Sequence, residues 1–225
     1  MFRALVGIVF PNLCVGCNAA LIAGEKFVCL NCIQQFPESR FHLVQDNPLE
    51  KTFWGRLPLK GAYSFLLFKK KGIVQHLLHE LKYGNQPDLG VFLGKLYGSK
   101  LKEAGISFDA IVAVPLHPKK QKLRGYNQSD TFAKGLSEVL GCKHHEKAVV
   151  RKKATSTQTK KNRYDRWLNV DEVFEVSQPE LLANKKILLV DDVITTGATI
   201  EACAQEILNH TSHLSVASIA CVVHQ

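Results

Sequence analysis

Four cysteines, Cys14, Cys17, Cys29 and Cys32, form two C-x2-C pairs near the start of the chain. Each pair makes a tight turn that aims two thiolates at one point. Two such turns close a tetrahedral four-sulfur shell suited to zinc. A shell with no open position cannot activate water, so the spacing predicts a structural metal. Metal binding would then supply much of the folding energy of a short segment with little core of its own. A redox dithiol competes with this reading, although such motifs usually stand singly in a βαβ context. The other cysteines, Cys142, Cys203 and Cys221, are isolated and read as small buried hydrophobes. Free thiols imply a reducing compartment, hence a cytoplasmic protein.

A second constellation lies in ILLVDDVITTGATI (187–200), where an apolar run ends in Asp191 and Asp192 and a threonine-rich turn opens a helix. Open α/β sheets bind ligands at the carboxyl ends of their strands. Here the turn offers consecutive backbone N–H groups, hydroxyls and a helix N-terminus, which together favour a phosphate dianion. Gly197 lets the backbone approach closely. The two carboxylates can accept hydrogen bonds from a sugar diol or help hold a hydrated Mg2+. A Thr-capped helix after a buried strand would account for one threonine and one acid, but not for two adjacent acids at a strand end.

Positive charge concentrates in two stretches. In VPLHPKKQKLRGYNQS (114–129), Pro115, Leu116 and His117 are followed at once by Lys119, Lys120, Lys122 and Arg124. Oriented amides and cations of this kind suit an anionic ligand; a solvated basic loop is the plainer alternative. Gly125 permits a turn, and Asn127 and Gln128 lie in the first turn of the next helix, where Asn127 could equally be a cap. Residues 151–170 hold seven Lys and Arg against one acid. Gln158, Lys160, Lys161, Arg163 and Arg166 there could form a hood over a site or a groove tracking a nucleic-acid strand, with Tyr164 and Trp167 for stacking; an exposed loop and helix is the alternative.

The elements that position these groups follow from periodicity. The 225 residues carry a formal charge of +9, with 46% hydrophobic and 22% charged residues. That composition is ordinary for a globular protein and excludes disordered, collagen-like and coiled-coil chains. The basic excess favours a polyanionic partner. MFRALVGIVFP has one Arg and a short apolar run, but no small-x-small cleavage site before the cysteines. It reads as an amphipathic helix packed on the domain, with a membrane-surface contact left open. No stretch reaches the ~18 apolar residues of a membrane span. Residues 1–45 are expected to form a helix and zinc module, 46–60 a break punctuated by Asn47-Pro48, Gly55 and Pro58, and 46–225 the main domain. Within it, 62–68, 108–115, 185–192 and 214–223 read as strands, and 72–83, 91–105, 126–141 and 197–210 as helices. Alternation of the two predicts an α/β fold with a parallel sheet.

Taken together, the paired C-x2-C, LKYGNQ (81–86), VPLHPKKQKLRGYNQS, TSTQTKKNR (155–163) and ILLVDDVITTGAT resemble the ComF family of competence proteins. These are small bacterial proteins with a four-cysteine zinc module and a type I phosphoribosyltransferase domain. The resemblance implies binding of 5-phosphoribosyl-1-pyrophosphate (PRPP) with Mg2+, beside a structural zinc. Asp191 and Asp192 would contact the ribose 2′ and 3′ hydroxyls, and Thr195, Thr196, Gly197, Ala198 and Thr199 would hold the 5′-phosphate. Pro115, Leu116 and His117, with Lys119 and Arg124, would face pyrophosphate. Hypoxanthine-guanine enzymes of that superfamily hold an Asp acid/base where Thr195 stands, which counts against ordinary purine salvage; orotate enzymes also have Thr there, so transferases as a class are not excluded. The resemblance further implies a role in natural transformation, with single-stranded DNA and other DNA-uptake proteins as partners. It assigns no catalytic residue, so a metabolic transferase with a small-molecule acceptor and a non-enzymatic nucleic-acid adaptor stay open.

Overall fold

The computed structural model describes residues 12–153 and 172–223. The helix expected over 1–11 lies outside the described residues, as do Gln158, Lys160, Lys161, Arg163 and Arg166 with the rest of 154–171. Seven strands are described: β1 (Ala62–Leu67), β2 (Ala110–Ala113), β3 (Lys143–His144), β4 (Val149–Lys153), β5 (Glu172–Val176), β6 (Ile187–Ile194) and β7 (Leu214–Cys221). The helices are α1 (Leu30–Gln34), α2 (Pro48–Phe53), α3 (Ile73–Tyr83), α4 (Pro87–Glu103), α5 (Pro118–Arg124), α6 (Gln128–Leu140) and α7 (Ala198–Leu208).

Five strands form one parallel sheet in the order β1-β7-β6-β2-β3, while β4 and β5 pair antiparallel in a separate ribbon. From β2 the chain moves to β3 on one flank; from β6 it moves to β7 on the other. The order therefore reverses between β2 and β6, and a crevice opens at their carboxyl ends. Each central strand faces two apolar layers. Leu188 and Val190 of β6 pack with Leu77, Leu93 and Phe132, whereas Ile187 and Leu189 pack with Phe53, Ile200 and Cys203. Burial on both faces explains why this strand reads as a continuous apolar run.

Cys14, Val28, Cys32 and Phe36 belong to the same apolar layer as Leu77 and Leu78 of α3. Phe27 meets Phe92 at 5.7 Å between ring centroids. The cysteine segment thus packs directly on the helices that flank the sheet. Close backbone approach fixes α4 against α6: a Cβ on Gly94 would come within 2.3 Å of the Phe132 carbonyl oxygen.

Three local expectations are corrected. The break at 46–60 contains α2, because Asn47 and Glu50 form a capping box with Pro48 at the first helical position. The basic stretch after β2 folds as α5, with His117 capping its start and Gly125 ending it at φ +80°. Strand β6 runs past the two acids to Ile194, since β7 pairs with it as far as Ile194↔Cys221.

Candidate functional site

At the carboxyl end of β6 the burial pattern changes from buried Val190 to part-buried Asp191 and Asp192. The adjacent acids are held by different elements. Asp191 Oδ1 accepts from Ser129 Oγ in the first turn of α6 at 2.9 Å and from the Asp192 amide at 2.8 Å. Asp192 Oδ2 instead lies 2.9 Å from Lys82 Nζ in the last turn of α3. Burial, together with the charge of Asp192, raises the Asp191 carboxyl from 3.8 to about 7. The Asp192 amide, the Ser129 hydroxyl and Lys82 oppose that rise without cancelling it.

The threonine turn follows directly. Thr195 and Thr196 are exposed, and Gly197 caps α7 at φ +80° with no side-chain cap hydrogen bond. The Thr196 hydroxyl makes only a 3.5 Å contact with the Ala198 amide. Ala198 and Thr199 begin the helix with exposed side chains. Capping therefore does not consume the turn's hydroxyls or all the amides of the first helical turn, and an anion can engage both. Arg56 braces the turn from outside. Its Nη1 donates to the Thr196 carbonyl at 3.1 Å, and its guanidinium pairs with Glu201. That pairing offsets the one acid of the helix's first turn. Gly197 also packs on Phe53: a Cβ there would stand 2.7 Å from Cε1 of the ring.

The end of β2 lies alongside. The Val114 amide donates to the Val190 carbonyl at 2.8 Å, which brings Pro115 beside Asp191. Arg151 of β4 donates to the Pro115 carbonyl at 3.4 Å and covers the Phe174 ring at 5.2 Å. Leu116 and His117 are part-buried, and His117 Nδ1 accepts from the Lys119 amide at 3.1 Å. Lys119, Lys120 and Lys122 are exposed on α5. The Arg-Gly-Tyr-Asn-Gln run acts as a clasp. Asn127 caps α6 through the Ser129 amide and donates to the Val114 carbonyl at 3.0 Å. Tyr126 donates to the Leu81 carbonyl, and Arg124 donates to Gln128 at 2.9 Å while covering the Tyr83 ring at 5.3 Å. The cap alternative for Asn127 is the observed one.

The structure thus brings Asp191, Asp192, the threonine turn and the end of β2 to one crevice. A cleft of about 410 Å³ opens there, lined in part by His79, Lys82, Tyr83, Asp192, Val193 and Thr195. Sequence reasoning missed Lys82, Ser129, Arg56 and Arg151 as contributors. LKYGNQ held Lys82 directly after the core residue Leu81, VPLHPKKQKLRGYNQS ended on Ser129 and the basic stretch 151–170 began with Arg151, whereas Arg56 lay in no motif.

Apart from the crevice, the sulfurs of Cys14, Cys17, Cys29 and Cys32 all lie within 4.8 Å of one another. Cys17 and Cys29 sulfurs are 3.8 Å apart. The amides of Gly16 and Cys29 donate to Cys14 Sγ at 3.4 and 3.3 Å. Burial raises the Cys14 thiol, but N–H groups of Cys29, Cys17 and Gly16 outweigh it and hold the thiol at about 7. Four convergent soft donors, one already polarised by amides, fit a metal such as zinc better than a single redox pair.

Residues 127–225 match the phosphoribosyl transferase domain family. The chain is 29% identical over 218 residues to DNA utilization protein YhgH of Escherichia coli K12, covering 89% of this chain and 92% of that protein. It is 30% identical over 210 residues to Competence protein F of Haemophilus influenzae, covering 85% and 88%. Competence protein ComFC of Streptococcus pneumoniae is 34% identical over 110 residues, covering 48% and 46%. Among the described residues, no helix is long and apolar enough to cross a membrane.

Proposed function

The chain belongs to the ComF family of competence proteins, and we propose that it binds PRPP with Mg2+ and handles single-stranded DNA during natural transformation. One observation carries the reading: an acid pair at the end of the central strand beside a turn whose hydroxyls are not consumed by capping. The competence and DNA-utilization names of its relatives support the cellular role.

In this reading the 5′-phosphate sits on the turn Thr195–Thr199, against the amides that open α7. Asp191 and Asp192 accept hydrogen bonds from the ribose hydroxyls. Pro115, Leu116 and His117 present backbone to the pyrophosphate, with Lys119 and Arg124 on the same segment as its nearby cations. Bound Mg2+ would neutralise charge on the pyrophosphate. A reaction here would be displacement at the anomeric carbon. The acceptor's lone pair forms the new bond to carbon while the carbon–oxygen bond breaks, and pyrophosphate leaves with its electrons. The basic segment then stabilises charge that grows on the leaving group. The cysteine cluster holds a structural zinc, with 1–45 as its module and 46–225 as the transferase-like domain.

Calorimetric titration with PRPP and Mg2+ tests the site. Binding is expected in the wild type and lost in the Asp191→Ala, Asp192→Ala variant; equal binding in both would remove the site. Pyrophosphate release across a panel of acceptors, single-stranded DNA included, then separates a DNA-linked role from a transferase with a small-molecule acceptor.

A further inference from the structure

Tyr83 is the last residue of α3, two residues beyond fully buried Leu81, yet the residue is 63% exposed. Its ring is nevertheless held. The Arg124 guanidinium covers it at 5.3 Å, and the His79 ring meets it at 5.1 Å between centroids, tilted by 49°. Arg124 is itself pinned by Gln128, which is buried. The result is a row of three planar groups, imidazole, phenol and guanidinium: His79 and Tyr83 line the cleft that contains Asp192 and Thr195, and Arg124 extends the row from the Tyr83 ring. A tyrosine needed only for packing would bury its ring; this one is braced and left open.

We propose that this row is a stacking platform for unpaired nucleobases of a single nucleic-acid strand, placed so that a stacked base faces the sugar-phosphate site. Aromatic rings and arginine planes stack on bases of any identity, because every base has a π face. A free base would need an enclosing pocket, since small-ligand sites cover most of their ligand. An open platform suits a base whose backbone remains in solvent. The cations favour a polyanion too: Arg124 ends α5, whose Lys119, Lys120 and Lys122 are all exposed. An acidic peptide would match those lysines but gains nothing from the braced rings. The inference deepens the PRPP reading by naming the surface that receives the strand, and rests on that reading only for what the base faces.

The test measures binding of a fluorescent oligothymidylate, and of its abasic counterpart, to the full chain. Tyr83→Ala is expected to weaken oligothymidylate binding by between about fivefold and about 150-fold, while Tyr83→Phe holds it within twofold. The abasic strand should bind the wild type as weakly as the intact strand binds Tyr83→Ala. Neutralising Lys119, Lys120 and Lys122 to Gln should flatten the slope of log affinity against log salt by about 2. Should Tyr83→Ala fail to fold, quenching of the Tyr83→Trp indole by oligothymidylate, and not by an acidic peptide, replaces it. Equal binding of intact and abasic strands, or an unquenched indole, overturns the platform. Wild-type PRPP binding is titrated in parallel. Its absence with the stacking effect intact removes the PRPP reading alone, and its presence without a Tyr83 effect removes the platform alone.

Discussion

Lys82 Nζ stands 2.9 Å from Asp192 Oδ2, tying the last turn of α3 to the end of the central strand. Lys82 lies outside the 127–225 segment that matches the transferase domain, so the first half of the chain supplies a cation to the acid pair. Both side chains are mostly covered, at 25% and 16% exposure, so the pair is screened less than a surface one. Removing the ammonium leaves two adjacent carboxylates to repel each other, and added Mg2+ can replace the lost charge. Lys82→Met is therefore expected to weaken PRPP binding by about fivefold to tenfold at limiting Mg2+, from the ~1 kcal/mol ceiling of exposed pairs to slightly above it. The deficit should narrow as Mg2+ is raised. Calorimetry across an Mg2+ series checks this, and a deficit that ignores Mg2+ would place Lys82 on the ligand instead.

Asp191 titrates where binding can be watched. Burial and the Asp192 charge lift its carboxyl to about 7, and the ionised form is the acceptor-only group that binds hydroxyl donors more strongly. PRPP affinity should rise between pH 5.5 and 7, by up to about tenfold per unit, and level off above. Binding should also release a proton, visible as a dependence of the measured heat on buffer ionisation enthalpy. The empty fold behaves oppositely. Its Asp191 is raised above the ordinary 3.8, so the native state holds the extra proton between about 4 and 7. Stability from this group is present at low pH and lost as pH rises through that window. Asp191→Asn should flatten both profiles; an unchanged pH dependence of binding in that variant would assign the titration elsewhere.

How far these groups were legible depends on the distance over which each is assembled. The apolar run to Val190 and the acids after it are contiguous, so the central strand and its chemistry could be read directly. The same holds for the two C-x2-C turns. Ser129 reaches Asp191 across 62 residues, and Lys82 reaches Asp192 from a helix end whose motif, LKYGNQ, names no partner. No periodicity encodes such pairings, which the strand order creates. Asn47-Pro48 is ambiguous for a different reason: the same dipeptide breaks a chain or starts a helix, and Glu50 decides by closing the capping box. Arg124 to Gln128 looked like ligand chemistry, and most of its hydrogen bonds turn out to clasp α3, β2 and α6 together.

The cysteine cluster supports more than its own segment, because Cys14 and Cys32 pack in the same apolar layer as Leu77 and Leu78 of α3. Purified protein should contain one zinc per chain, lost in Cys14→Ser. Binding at a thousandfold above Kd stabilises the native state by about 4 kcal/mol. In a chain of this size each kcal/mol moves the thermal midpoint by about 2–4 °C, so chelation should lower it by about 10 °C. Elemental analysis and calorimetric melting with and without chelator check both statements. A metal-free protein that melts at the holoprotein's temperature would sink the structural role.

Gly197 joins the threonine turn to the body of the fold through Phe53, and a double-mutant cycle can measure that joint. A methyl at 197 meets the Phe53 ring at 2.7 Å and is strained independently by φ +80°. Overpacking of this kind costs about 1–3 kcal/mol, and the left-handed backbone adds roughly 1 kcal/mol for a non-glycine residue. Gly197→Ala should therefore destabilise by about 2–4 kcal/mol in urea unfolding. With Phe53→Leu the ring clash is relieved and the backbone strain stays, so the same substitution should then cost about 1 kcal/mol. The two changes are expected to couple by at least about 1 kcal/mol, as contacting residues do. Strict additivity would mean that the turn, and not the ring, yields to the methyl, and the brace from Phe53 would lose its claim to shape the threonine turn.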